Sequence, residues 1–533
     1  MTGAQAVVAT LREHGVNVVF GIPGVHTLPL YDAMYDQPAL RHVLARHEQG
    51  AGYMGYGYAH ATGQPGVVCT ITGPGVTNAV TAAANAYADS TPVLFLSSGP
   101  ARTGAGQSTG ALHELKNQLG LMREVVGWSH AVTCVDEIPQ ALCHAFENFR
   151  SQRPRAAYLE LPFDLLEAKC DLEIPTPRSI PRLAPDESSV HAAVQLLRRS
   201  ESPLIIAGAG VTAAGANEQL MRLAELLNTP VLLGAKSRDV LPTDHPLVIA
   251  TSGYAMSDAL LDLIGRSDAV LVVGSKLGEE RTNGRRLPLP ANLVHIDIDP
   301  YEVGRRYPAT VGISADARLT LEALLSVPIA DLGERRGREQ EIAAVRAAQR
   351  RLLQETIPGP MRLLDAVRES LPTDAVVVAD MTQVGYASAR YLPVREPRTF
   401  IHPSEFCAIG CGLPIGIGAK VGVPDRPVLI LAGDGGVVLN VSELAVAAQE
   451  QIDVTLVVVN DGAYTAVKKE QGQRYRRYLA TDVRGPDFVS LARAYGVHGV
   501  RVSEADELSG AITTAITHRG TTLIEIPSSA MPG

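Results

Sequence analysis

The chain is poor in aromatic residues, with one Trp and 8 Phe among its 533 residues. Its core must therefore rest on Ala, Val, Leu and Ile, the composition of buried parallel sheets covered by helices. It has no CxxC pair; Cys69, Cys134, Cys143, Cys170, Cys407 and Cys411 are scattered, which argues against the usual zinc spacings. Cys407 and Cys411 would share a face if their segment is helical, but with no His nearby they read as small buried residues, and the compartment expected is cytoplasmic. No run of about 18 apolar residues occurs, so no membrane span is expected. The opening Thr2-Gly3-Ala4-Gln5-Ala6-Val7-Val8 reads as an amphipathic helix and not as a leader. Positive charge is not in excess: the net charge of −9 is spread along the chain, which argues against a nucleic-acid partner. The pairs Arg285-Arg286 and Arg476-Arg477 read as solvated loops.

What is present is a well-packed α/β pattern. Hydrophobic residues make up 46% of the chain, and its length suits three domains of roughly 150–200 residues each. Residues 1–165 alternate apolar strands (Val67 to Ile71, Val93 to Leu96, Ala157 to Leu161) with helical stretches, which predicts a parallel sheet covered on both faces. A Pro-rich linker around Pro175, Pro177, Pro181 and Pro185 leads to a second section, 188–328. There Leu204 to Ala207 turns at Gly208-Ala209-Gly210, the outline of a dinucleotide fingerprint, but no acidic residue at the right strand end completes it, and the turn reads as architecture. A charged helical segment, Gly333 to Glu355, leads into the third section, 358–533. The fold class is α/β with three parallel-sheet domains, the first and third alike in pattern.

Two apolar runs near the carboxyl end stop at similar clusters. Pro427 to Ala432 meets Gly433-Asp434-Gly435, and Val454 to Val459 meets Asn460-Asp461-Gly462. The ends of buried parallel strands are where open α/β sheets bind ligands. A carboxylate at each end, flanked by glycines, suits a hard divalent cation holding a phosphate ester, so this is read as a diphosphate-and-magnesium site. A second signal is Arg46-His47-Glu48-Gln49-Gly50-Ala51, opening a helix through Tyr58-Ala59. A carboxyl group at Glu48 among small apolar residues would be partly desolvated and suited to sharing a proton with a basic nitrogen, although a helix-start Glu stabilised by the dipole is the bland alternative.

Taken together, these motifs resemble the thiamine-diphosphate-dependent 2-oxo acid decarboxylase and acetolactate synthase family over nearly the whole chain. The resemblance rests on Gly21-Ile22-Pro23-Gly24, His47 to Ala51, Thr72-Gly73-Pro74-Gly75-Val76-Thr77-Asn78, Gly410-Cys411-Gly412-Leu413-Pro414 and the Gly433 to Asn460 motif, all in the family's order. Phe20 to Thr27 with Leu112-His113-Glu114-Leu115 is similar to the guanidino-oxopentanoate decarboxylase type. The resemblance implies pyrimidine-binding, central and diphosphate-binding domains. Glu48 would hydrogen-bond the aminopyrimidine and promote loss of the thiazolium C2 proton. The activated cofactor would then attack a 2-oxo acid, and carbon dioxide would leave a cofactor-bound enamine. Asp434, Asp461 and the Ala463 carbonyl would hold Mg²⁺; Thr382, Gln383, Gly433, Gly435 and Gly436 would meet the diphosphate, and Ile409 would bend the cofactor from below. Asp461 departs from the family, where Asn is frequent. A homodimer or homotetramer with active sites between subunits is implied.

The substrate side of the resemblance is less complete. The family's pyruvate decarboxylases use an Asp after the Pro-Gly turn, a His pair, and a Glu on the helix after the metal loop. Those positions here hold Val25, His113 with no second His beside it in sequence, and Val467. Acetolactate synthases have Phe-Gln where this chain has Leu112-His113, and their flavin-contacting arginine–aspartate stretch is not evident in Gly278 to Asn283, so bound FAD is not expected. His26 and His113 are the candidate catalytic proton donors, because imidazole titrates near neutrality; ordinary loop histidines are the alternative. Lys468 and Lys469 would attract an anionic substrate group or form a solvated face. The function expected is decarboxylation of a small-molecule 2-oxo acid to an aldehyde. A carboligase of synthase type and a relative without catalysis are the rivals.

Overall fold

A computed structural model describes residues 1–104, 110–251, 253–327 and 338–530. The expected domain ends at 328 and 533 lie outside the described residues, as does the start of the charged segment at Gly333, whose helix is described over Glu339–Thr356. Three six-stranded sheets, parallel throughout, follow one another along the chain. The first contains β1 (Val18–Gly21), β2 (Arg41–Leu44), β3 (Gly66–Thr70), β4 (Val93–Gly99), β5 (Trp128–Ala131) and β6 (Ala157–Pro162). Its spatial order is β2-β1-β3-β4-β6-β5.

The central sheet is β7 (Pro203–Ala207), β8 (Val231–Leu233), β9 (Val248–Ala250), β10 (Ala269–Val273), β11 (Leu293–Asp297) and β12 (Val311–Ser314), in the order β12-β11-β10-β7-β8-β9. Counted within the domain this is 3-2-1-4-5-6, the order of dinucleotide folds. The third comprises β13 (Val376–Ala379), β14 (Phe400–Ile401), β15 (Val428–Gly433), β16 (Thr455–Asn460), β17 (His498–Arg501) and β18 (Thr522–Pro527), ordered β14-β13-β15-β16-β18-β17. Its order repeats that of the first sheet strand for strand. The middle strands β3, β4, β7, β10, β13, β15 and β16 are almost wholly buried, as expected where helices cover both faces of a parallel sheet.

The first and third domains share a core. Phe20, Tyr53, Met54 and Phe95 pack in one continuous cluster with Ile401, Leu413, Ile415 and Ile430. The seam is a pair of topologically equivalent helices, Glu48–Thr62 after β2 and Gly412–Gly422 after β14. They approach so closely that a Cβ on Gly57 would lie 2.0 Å from the Ile415 carbonyl oxygen, and one on Gly418 would lie 1.9 Å from that of Met54. The central domain has its own core and is fastened to both neighbours by charge. Lys236 pairs with Asp89 at 3.0 Å and Lys276 with Glu405 at 2.7 Å, while buried Arg238 donates to the carbonyls of Leu392 and Ala389. Among the described residues no helix is long and apolar enough to cross a membrane.

Candidate active site

The carboxylates at the ends of β15 and β16 come side by side because the two strands pair in register, Gly433 opposite Val459. Asp434 is buried and opens a single helical turn, Asp434–Val437. Its Oδ2 accepts the Gly462 N–H at 3.0 Å. Asp461 Oδ1 accepts from Ala463 N at 3.1 Å, and its Oδ2 from the Thr465 hydroxyl. Burial pushes the Asp434 carboxyl above the usual carboxylate range, and the adjacent Asp461 adds to the effect. Two crowded acids of this kind suit a hard cation, whose charge would relieve their repulsion.

The loop that follows is held by Val483 N donating to Gly462 O at 2.7 Å and Tyr464 N to Thr481 O at 2.8 Å. Neither bond engages the Ala463 carbonyl. Among the described residues no group of three His, Cys, Asp or Glu side chains could hold a metal. A cation here would therefore need backbone and ligand oxygens besides the two carboxylates, and the donor set fits a magnesium diphosphate.

Around this pair lies a cradle without bulk. Thr382 precedes the helix Gln383–Tyr391, and a Cβ on Gly433 would come within 2.9 Å of its Oγ1. The positive end of that helix thus lies beside the carboxylates' strand. Gly435 packs on the Tyr464 ring, and Gly436 on Asp380 and Gly410.

Asp380 escaped the sequence reading. It is buried, with its carboxyl raised by that burial. Its Oδ1 accepts from Met381 N at 2.7 Å and Gly410 N at 3.1 Å, and its Oδ2 from Gly412 N at 3.2 Å. Asn440 Nδ2 completes the clamp by donating to Gly410 O at 2.8 Å. The clamp sets Ile409 next to the Gly433–Gly436 turn with 39% of its surface exposed. The missed signal was the pattern itself, since an apolar strand ending in Asp380 repeats the one ending in Gly433-Asp434.

In the first domain the equivalent strand ends carry different groups. His47 caps the helix Glu48–Thr62, its Nδ1 accepting from Gln49 N at 3.1 Å. Glu48 is half-buried and its Oε2 accepts from Asn78 Nδ2 at 2.9 Å. Asn78 lies on the helix Pro74–Asp89, which opens from the Thr72-Gly73-Pro74-Gly75 turn. Gln118, also unassigned from sequence, holds that turn from beneath, its Oε1 accepting from Thr72 Oγ1 at 2.8 Å and Gly73 N at 2.7 Å.

The histidines supply a correction. His113 has no histidine beside it in sequence, but the fold places His26 against it, ring centroids 5.5 Å apart, with the Phe163 ring edge-on to His26 at 5.6 Å. Both Nδ1 atoms are buried without a hydrogen-bond partner. Burial, and then His113, lower the pKa of His26. His113 adopts a left-handed backbone (φ 64°) with its carbonyl against Gly73, so the pair adjoins the turn that carries Asn78.

Other expectations change. Lys468 is paired with Asp482 at 2.5 Å and lies over the Tyr478 ring, so a substrate anion would compete with Asp482 for it. Cys407 is exposed and outside any helix, while Cys411 is buried; the two share no helix face. Within the chain no hydrogen bond or ion pair among the described residues joins Glu48 to Asp434 or Asp461. The helix Thr465–Tyr475 buries none of its residues, and Val467, Tyr475, Tyr478 and Leu479 are exposed.

A cavity of about 500 Å³ lies where the central domain meets its neighbours, bordered by Gly208, Gly210, Lys236, Glu405 and Arg281. Gly208 is architectural in that its Cβ would meet the Gly274 carbonyl oxygen at 2.1 Å, and the turn also borders this cavity. Arg281 is buried with Nε and Nη1 unpartnered.

Three parallel α/β domains, two of them repeating one topology and the third of these carrying paired carboxylates at its strand ends, define a thiamine-diphosphate enzyme architecture. The comparisons agree along the whole chain. Residues 1–121 match the thiamine pyrophosphate enzyme N-terminal TPP binding domain, 190–324 the central domain, and 380–526 the C-terminal TPP binding domain. The chain belongs to the thiamine pyrophosphate enzyme family. It is 38% identical to a Pseudomonas aeruginosa protein named "Probable 2-ketoarginine decarboxylase AruI", over 99% of this chain and 94% of that one. It is 33% identical to the acetolactate synthase isozyme 3 large subunit of Escherichia coli, covering 97% and 92%. To a "Probable acetolactate synthase large subunit" of Methanocaldococcus jannaschii it is 31% identical, covering 100% and 93%.

Proposed function

We propose that this chain is a thiamine-diphosphate- and Mg²⁺-dependent decarboxylase of a 2-oxo acid, releasing an aldehyde. The observation that carries this choice within the family is the His26–His113 pair. A proton must be delivered to the carbon that has lost carbon dioxide, and an imidazole can deliver it; because burial and its neighbour lower the pKa of His26, the donor proposed is His113. When bound, the cofactor would supply a nucleophilic thiazolium carbon for the oxo carbon and an electron sink for the pair left behind when carbon dioxide departs.

The chain's own groups divide the remaining work. Asp434 and Asp461, with the Ala463 carbonyl, hold Mg²⁺. Thr382, Gln383, Gly433, Gly435 and Gly436 receive the diphosphate in the third domain, and Ile409 presses on the cofactor from the same side. Glu48 serves the aminopyrimidine from the first domain. As the family resemblance implies, the working unit in this reading is a dimer or a pair of dimers with Glu48 of one chain facing the carboxylate pair of another, so that a second copy covers Ile409 and the exposed helix Thr465–Tyr475. The reading includes no flavin, and a cytoplasmic location consistent with six free cysteines.

A 2-oxo acid with a basic side chain is the first substrate to try, on the strength of the relative named for 2-ketoarginine. The second reading is a carboligase, favoured by the acetolactate synthase relatives and by the central cavity. One experiment separates them: pure protein with thiamine diphosphate and Mg²⁺ is given a panel of 2-oxo acids, and carbon dioxide and products are followed. Aldehyde as the main product supports the proposal. Acetolactate from pyruvate, or a yellow protein with stoichiometric flavin, would transfer the chain to the synthase reading.

A further inference from the structure

One buried acid in the seam between the first and third domains is unused by that mechanism. Glu443 closes the short 3₁₀ turn Val441–Glu443, a few residues beyond the Asp434–Val437 turn, and is fully buried. Its carboxylate reaches across the seam to the other domain. Oε1 accepts from His47 N at 3.0 Å and Oε2 from Arg46 N at 3.2 Å. These are consecutive backbone donors, and Glu48 is the next residue. The helix then passes directly over the carboxylate, so that a Cβ on Gly50 would lie 2.3 Å from Glu443 Oε1.

We infer that Glu443 is a positioning residue for Glu48, a clamp from the third domain that fixes the backbone from which Glu48 projects. The inference rests on the role of Glu48 proposed above. Two features argue that the clamp does more than fill space. Ionised, as it is above about pH 7, this carboxyl group offers two acceptor oxygens to two parallel N–H donors; an amide offers one oxygen and turns an N–H toward the other donor. Keeping a carboxylic acid fully buried also costs stability unless its bonds compensate. Burial, opposed by the two N–H donors and by Arg46, pushes this acid up to about 7, and Glu48 adds to the rise, which places the two acids within electrostatic reach.

The clamp also has a consequence for assembly of the site. Glu443 follows the metal-binding turn in sequence, and Asn440 beside it bonds the Gly410 carbonyl. The element that seats Ile409 is therefore continuous with the element that seats Glu48 of the same chain, which in a dimer with sites between subunits ties one site to the next.

The test uses full-length protein with thiamine diphosphate and Mg²⁺. Exchange of the cofactor's C2 proton for deuterium is followed by NMR, alongside cofactor affinity by calorimetry, kcat and KM on the preferred oxo acid, and Tm. In Glu443→Gln we expect exchange and kcat to fall about 10- to 100-fold, the scale of a misplacement of about 1 Å. Cofactor affinity and KM should stay within about threefold of wild type. Exchange within threefold of wild type overturns the inference, and so does a parallel loss of exchange, affinity and Tm, which would make Glu443 a brace only. If Glu443→Gln does not fold, Glu443→Asp, which keeps the charge but retreats by one methylene, must show the selective loss; misfolding of both also overturns the inference. A wild-type protein that binds no thiamine diphosphate, or a Glu48→Gln variant with undiminished exchange, would sink the functional reading instead and leave the clamp geometry without a task.

Discussion

The first and third domains share one strand order, yet their strand ends carry opposite chemistry. After β15 and β16 the third domain places Asp434 and Asp461, two crowded carboxylates whose repulsion a cation would relieve. At the ends of the equivalent β3 and β4 the first domain places Thr72-Gly73 after β3 and the buried Ser97-Ser98 in the last residues of β4 before Gly99, with no acid at either end. After β14 comes Ile409 on a loop clamped by Asp380; after the equivalent β2 comes Glu48, held by Asn78 and preceded by the residues that Glu443 grips. The frame decides where a ligand can lie, and the residues at the strand ends decide which part of it each domain can hold. One copy is suited to a charged diphosphate, the other to a largely neutral ring.

The contrast can be broken most severely in the third domain. Asp434→Ala should abolish Mg²⁺-dependent retention of thiamine diphosphate, because one remaining carboxylate cannot offset the diphosphate's charge. Unchanged cofactor affinity by calorimetry would remove the metal role from this pair. In the first domain the effect should be chemical and not one of binding. Glu48→Gln should still bind cofactor while C2 exchange and turnover fall at least about 10²-fold, the loss expected of an acid–base group. Turnover within a few-fold of wild type would return Glu48 to a helix-capping role.

The seam between the two copies offers the next test. Gly418→Ala puts a methyl 1.9 Å from the Met54 carbonyl oxygen, which no side-chain rotation relieves. We expect destabilisation at or beyond the usual overpacking cost of about 1–3 kcal/mol, seen as a lower Tm and weaker cofactor retention; an unchanged Tm would mean the helices can part without cost. A smaller change should follow His113→Gln, which leaves His26 without its neighbour. Aldehyde release should slow several-fold and the share of carboligation product rise, read by chromatography of products. An unaltered ratio would dismiss His113 as proton donor without touching the rest.

The smallest effect concerns pH. Glu443 in the folded chain titrates at about 7, above its ordinary 4.5, so between these values the folded state keeps a proton that the unfolded state has lost. Stability from this group is therefore greatest below about pH 4.5, declines as pH rises toward 7, and is level above it. Wild-type Tm minus that of Glu443→Gln, measured without cofactor across this range, should fall by a few degrees; a flat difference would show that the acid is not held protonated.

Much of the site was legible because it lies in short segments. Gly433-Asp434 and Asn460-Asp461 each end an apolar run, and parallel pairing of those runs suffices to bring the acids together. Glu48 was legible for the same reason, as the start of a helix in a compact motif. Asp380 was missed although it ends a strand in the same way, because no glycine follows to mark it. The His26–His113 pair was invisible because its members come from loops after different strands. The fate of Lys468 was also hidden, since Asp482 reaches it only through the pairing of the Gly462–Tyr464 loop with residues 481–483.

By itself, then, the sequence determined three parallel sheets, the carboxylates at the third domain's strand ends and the helix that begins at Glu48, all of which follow from local periodicity and strand-end residues. Tertiary structure alone decided the shared strand order of the outer domains, the imidazole pair, and the reach of Glu443 to a backbone 396 residues away. Contacts across such separations depend on how helices cross and how closely glycines let them approach, and no local pattern of residues encodes that.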